Sequence, residues 1–123
     1  MDVIPRTVLL ADRDPDMRLY LRSCLRGLTP PFERALEAAD GLDALRLVRG
    51  GDVHLVIADV ALPALDGRRL RRAIRDDAAL RHVAVLLVDA DGTAAESAAD
   101  GVLVGPLNGR RVLAALDDVR PRG

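Results

Sequence analysis

Asp59 closes the apolar run Leu55-Val56-Ile57-Ala58 and opens a proline turn, Val60-Ala61-Leu62-Pro63, that leads to Asp66-Gly67. The run is too short for a helix core and is bounded by turn residues, so it reads as a strand. A carboxylate at the C-terminal end of a buried strand lies where open α/β sheets bind ligands. Two further acids close apolar runs in the same way. Asp12 follows Thr7–Ala11, and Asp89 follows Val83–Val88. Such carboxylates act as nucleophiles toward phosphoryl groups or as hard oxygen ligands for a cation. Cationic help would have to come from arginine, because all 18 basic residues are Arg and the chain has no Lys.

Alternating strand and helix patterns position these acids. Thr7–Ala11 reads as the first strand. Asp14-Pro15 then starts a helix, with Asp as N-cap and Pro in the first helical position. Met17, Tyr20, Leu21, Cys24, Leu25 and Leu28 form its inward stripe at helical spacing. Arg34–Ala38 is the second strand, ended by Asp40-Gly41, and Leu42, Leu45 and Val48 line the second helix. Val53–Ala58 is the third strand, and Asp66-Gly67 begins a helix with Leu70 and Ile74 inward. Val83–Val88 is a continuous apolar strand, as expected when both faces are covered. Thr93-Ala94-Ala95-Glu96 is a capping box for a short helix. Val102–Val104 is the fifth strand, and Val112, Leu113, Leu116 and Val119 mark the last helix. Residues 119–123 read as a helix exit or the start of a linker. Five βα units imply one doubly wound parallel sheet with helices on both faces, and one domain over residues 1–123.

Composition excludes several functions. Half of the 123 residues are hydrophobic, yet only Tyr20 and Phe32 are aromatic. Stacking platforms for single-stranded nucleic acid are therefore disfavoured. A net charge of −1 gives no global pull toward nucleic acid or anionic membrane. Cys24 is the only cysteine and reads as a small buried hydrophobe. The chain shows neither a signal-peptide core nor an apolar run of membrane-spanning length, so a cytoplasmic protein is expected. His54 and His82 each precede a strand, lack Cys partners, and read as solvent-edge residues. Arg68, Arg69, Arg71, Arg72 and Arg75 read as the solvated face of the third helix, and direct DNA binding is not expected.

The segment around Asp59, with Asp12, Pro63, Asp66-Gly67 and Pro106, resembles the receiver domains of bacterial response regulators, over nearly the whole chain. This resemblance implies a CheY-like, flavodoxin-like fold with strand order 2-1-3-4-5. It implies that Asp59 is the phosphoacceptor, served by a histidine kinase, with Mg²⁺ held by Asp12 and Asp59. It also implies that the face over residues 93–119 carries output or homodimer contacts. Four positions depart from the family pattern. Arg13 stands where a second acid ligates the metal, which weakens the Mg²⁺ site. Asp89 replaces a hydroxyl residue, Gly105 replaces the pocket lysine, and Val102 replaces the reporter aromatic.

Asp12, Asp59 and Asp89 would thus form an acidic pocket. Two like charges about 4 Å apart cost on the order of 4 kcal/mol at an effective dielectric of 20. Arg13 either folds inward to pair with Asp59 or Asp89, or points to solvent. The favoured reading is a degenerate pseudo-receiver, not an enzyme, that works by protein–protein interaction. A receiver still phosphorylated at Asp59 is the alternative. More remotely, Asp12-Arg13-Asp14 resembles the D-x-D of haloacid-dehalogenase-type phosphatases, although the Gly-Thr expected next is Pro15-Asp16.

Overall fold

The computed structural model describes residues 7–27, 32–92 and 101–119. Five parallel strands form one sheet in the order β2-β1-β3-β4-β5, as the resemblance implies. They are β1 (Thr7–Ala11), β2 (Arg34–Ala38), β3 (Leu55–Asp59), β4 (Ala84–Asp89) and β5 (Val102–Val104). The described helices are α1 (Pro15–Cys24), α2 (Gly41–Arg49), α3 (Gly67–Asp76) and α4 (Gly109–Val119). The predicted capping box at Thr93 and the chain end after Val119 fall outside the described residues.

The central strands are buried on both faces, and their period-2 alternation divides the core in two. Leu9, Ala11, Val56, Ala58, Val85 and Leu87 pack with residues of α2 and α3, including Leu45, Leu70 and Ile74. Val8, Leu10, Leu55, Ile57, Leu86 and Leu103 pack with residues of α1 and α4, including Leu21, Val112 and Leu116. Asp12 and Asp59 continue the parity of the second set and Asp89 that of the first. Polar side chains therefore appear only where the strands run out.

The helix starts follow the predicted chemistry. Asp14 caps α1 by accepting from the Asp16 N–H, with Pro15 next to it. Asp40 and Asp66 cap α2 and α3 in the same manner. Two strands lie one or two residues later than the apolar runs predict. Leu55, opposite Val8 and Ala84, begins β3, and Asp59 pairs in register with Val88 inside the ladder. The Val83 N–H instead closes a turn on Leu80 O, and Asp89 is the last residue of β4, opposite Val104. Both acids are thus held by sheet hydrogen bonds and not by loops.

Two residues predicted to face inward do not. Tyr20 is 41% exposed, and its hydroxyl reaches over to donate to Leu107 O at 2.8 Å. Leu42 is 59% exposed because Ala44, Leu45 and Val48 already present the buried side of α2.

Gly67 sets how closely α3 approaches the end of β3. A Cβ there would lie 2.6 Å from Asp59 O and 2.9 Å from Val60 Cα, against backbone that cannot swing away. Gly67→Ala should therefore cost about 2 kcal/mol, the scale of forced overpacking. Chemical denaturation checks the loss, and the amide signals of Asp59 and Val60 should shift more than those of β2.

Candidate functional site

A cleft of about 210 Å³ opens at the C-terminal edge of the sheet and is lined by Asp12, Arg13, Asp59, Asp89, Met17 and Ala61 among others. The strand order explains the convergence. With β1 between β2 and β3, the chain leaves β1 and β3 side by side, and the cleft forms at this switch point.

Each acid is oriented by the backbone. Asp12 is 6% exposed, and its Oδ1 accepts from Asp14 N–H at 2.8 Å. Its own N–H donates to Ala38 O, which ties the exit of β1 to β2. Arg18 on α1 sits beneath, donating to the Asp12 carbonyl and to Glu37 Oε1, the latter at 2.7 Å. Asp59 is half-buried, and its Oδ1 accepts from Ala61 N–H at 3.1 Å. The turn after it is closed by Val60 N–H on Val88 O and Gly67 N–H on Val60 O. Asp89 is 2% exposed, and its carbonyl receives both the Gly92 and the Gly105 N–H groups.

Burial pushes the Asp12 carboxyl above its ordinary range. The Asp14 N–H opposes that shift, the charges of Asp59 and Asp14 add to it, and Arg18 draws it back. The influence of Asp59 on Asp12 is the electrostatic sign that the two carboxylates share one site.

Arg13 does not fold inward. Its side chain lies exposed on the cleft wall, and no carboxylate of the described residues pairs with it. The local backbone explains this. Two successive side-chain caps, Asp12 on Asp14 and Asp14 on Asp16, fix the turn and leave Arg13 at its outer side. Asp14 acts as the helix cap, as predicted. Gly105 has φ +90°, a left-handed conformation at the exit of β5, and Val102 is fully buried inside the sheet.

The donor set can be tested against Mg²⁺. Asp12 and Asp59 offer hard oxygens, but each spends one on a backbone N–H. Among the described residues no group of three or more His, Cys, Asp or Glu assembles that could hold an ion. With a guanidinium on the same wall, these residues do not fit a firmly held resident Mg²⁺.

Sequence reasoning missed one pairing. The rings of His54 and His82 meet edge to face with centroids 6.3 Å apart, although the residues are far apart in sequence. They lie at the opposite end of the sheet from the cleft, where His54 Nδ1 accepts from Thr7 N–H at 3.3 Å. Strand adjacency brings them together, and no local pattern announces it.

With this geometry described, comparison with known proteins gives the class. The sequence pattern of the response regulator receiver domain matches residues 8–117. The chain belongs to that family, the receiver domains of two-component signalling systems. Among its relatives, chemotaxis protein CheY-3 of Vibrio cholerae is 31% identical over 121 residues, covering 94% of this chain and 92% of that protein. The CheY of Pseudomonas aeruginosa is 32% identical over 105 residues, covering 80% and 83%. In structure, the CheY4 regulator of Vibrio cholerae superposes with a TM-score of 0.74 at 23% identity, covering 94% of this chain and 99% of that one. The receiver domain of a Pseudomonas aeruginosa sensor histidine kinase, crystallised with magnesium in its active-site cleft, also gives 0.74 at 23% identity, covering 94% and 98%.

The raised Asp12 carboxyl yields a test. Keeping this group charged in the fold costs stability at neutral pH, and the cost disappears as pH falls below its ordinary value of 3.8. Asp12→Asn retains the acceptor for Asp14 N–H and removes the charge. It should stabilise the protein near pH 7. Thermal melts from pH 7 to pH 3 should show that gain shrinking toward zero at the acid end.

Proposed function

We propose that this receiver acts mainly as a protein-interaction module, with a degenerate acceptor pocket through which phosphorylation at Asp59 regulates it weakly or not at all. One observation carries the reading. Three carboxylates, Asp12, Asp59 and Asp89, line the cleft, and Arg13, the one arginine among its described lining residues, is exposed. A phosphoryl group entering the cleft meets like charge on several sides, and in a site of reduced dielectric each such contact costs several kcal/mol, roughly 4 kcal/mol at 4 Å. The residues at the β4 and β5 exits, Asp89 and Gly105, carry no positive charge, and the nearby Arg111 guanidinium is engaged by backbone carbonyls.

Partners in this reading are signalling proteins, either a histidine kinase or an output protein. Docking is assigned to the face over residues 93–119. Within its described part, α4 turns Arg110, Ala114, Asp117 and Asp118 to solvent. A second copy of the chain is the alternative occupant. A cytoplasmic location accords with this role. Among the described residues no helix is long and apolar enough to cross a membrane.

A second reading keeps Asp59 as a working acceptor for a histidine kinase. It is favoured by the half-exposed position of Asp59 in an open cleft, with Oδ2 outside its one backbone hydrogen bond. Intact-mass measurement after incubation with acetyl phosphate and Mg²⁺, with Asp59→Asn in parallel, separates the two. The proposal expects no phosphoryl-sized gain in either protein. A gain confined to the wild type would replace the interaction reading with that of an atypical working switch.

A further inference from the structure

Arg111 binds the backbone at the exit of β5, outside the described cleft lining. It lies in the first turn of α4 and reaches back across the exit of β5. Its Nη2 donates to Val104 O at 2.7 Å, and its Nη1 donates to Pro106 O. The two carbonyls flank Gly105, so one guanidinium grips both sides of a left-handed residue. The Gly105 N–H in turn donates to Asp89 O at 2.9 Å. A Cβ at Gly105 would lie 3.6 Å from Nη1, so a longer side chain at that position would meet the guanidinium. Among the described residues no carboxylate pairs with Arg111; its donors go to neutral carbonyls.

The planar fork of arginine suits this grip, because its donors are preorganised and little side-chain entropy is lost for each bond formed. Charged donors on backbone carbonyls make stronger bonds than neutral ones. The connection is continuous: α4 holds Arg111, Arg111 holds the Val104–Pro106 turn, and the turn holds the end of β4 at Asp89. Leu103 packs on the α1 and α4 side of the sheet, so the clamp occupies the same layer as Asp12 and Asp59.

We infer that Arg111 is a positioning residue that locks the β5–α4 turn and the Asp89 backbone in one conformation, whatever the charge at Asp59. The inference rests on the interaction reading and deepens it. The described part of that face, α4, is then presented constantly, uncoupled from the pocket.

Hydrogen exchange of the Gly105 amide tests the lock on the unphosphorylated protein, so its result is independent of the mass measurement above. Arg111→Met keeps an unbranched apolar stem but removes the donors. It should speed exchange at Gly105 about tenfold, the factor expected for a charge-assisted hydrogen bond, while β1 and β3 amides keep their protection. Arg111→Lys, a milder change that retains charge without the fork, should fall between. Asp59→Asn should alter Gly105 exchange by less than about twofold when Arg111 is present and by more in the Arg111→Met background, a coupling that a double-mutant cycle isolates. The inference is overturned if both Arg111 variants protect Gly105 as the wild type does, or if Asp59→Asn alone changes that exchange about tenfold.

Discussion

Complete burial of the parallel sheet is the constraint on which the rest of the molecule depends. Both faces of β1, β3 and β4 are covered, so the strands carry aliphatic side chains on each side and no interior position tolerates an unpaired charge. Charged side chains are admitted only where the strands end. The switch point between β1 and β3 then gathers those ends into a cleft. The acids Asp12, Asp59 and Asp89 are therefore a consequence of the fold's geometry before they are a feature of any chemistry.

The same geometry concentrates electrostatic cost. Asp12 is buried beside Asp59, and its charge is tolerated because the Asp14 N–H and Arg18 act on it. Arginine does much of the structural work around the sheet by capping carbonyls, and Arg18 also pairs with Glu37. Arg18 holds the exit of β1, Arg75 donates to Arg81 O and Val83 O ahead of β4, and Arg111 holds the exit of β5. Burial lowers the proton affinity of Arg75, helped by its neighbour Arg71, yet arginine's high starting value keeps such a clamp charged. A chain without lysine thus has cations close to its functional edge that are committed to backbone positions. This is why the cleft is acidic although acids and bases nearly balance over the whole sequence.

Membership of the receiver family and the departure of individual positions from its pattern are separate matters. The family match covers residues 8–117. In the proposed reading, Arg13, Asp89 and Gly105 change the charge of the cleft and leave the strands and caps intact. Arg13 is outside, Asp89 completes a ladder, and Gly105 takes a backbone conformation that a lysine would find strained. Fold can persist through such changes because it is determined by the buried strands, while the chemistry of the edge is free to drift or to be reassigned.

Local patterns determined much of this protein. The apolar runs, the Asp14-Pro15 cap, the helix start at Asp66-Gly67 and the order of elements follow from side-chain periodicity and turn chemistry, which act over a few residues. The strand ends carrying Asp12, Asp59 and Asp89 were readable for the same reason, although the strand order that joins them came from the family resemblance. The tertiary structure decided the rest. It turned Arg13 outward, because two consecutive caps fix its backbone, and exposed Tyr20 and Leu42, because neighbouring residues already filled the core. It also joined His54 to His82 and set Arg111 around Gly105. The histidine pair depends on segments distant in the chain and the exposure of Tyr20 and Leu42 on competition for one buried surface, while Arg13 and Arg111 follow the local backbone path, and residue spacing alone records none of these.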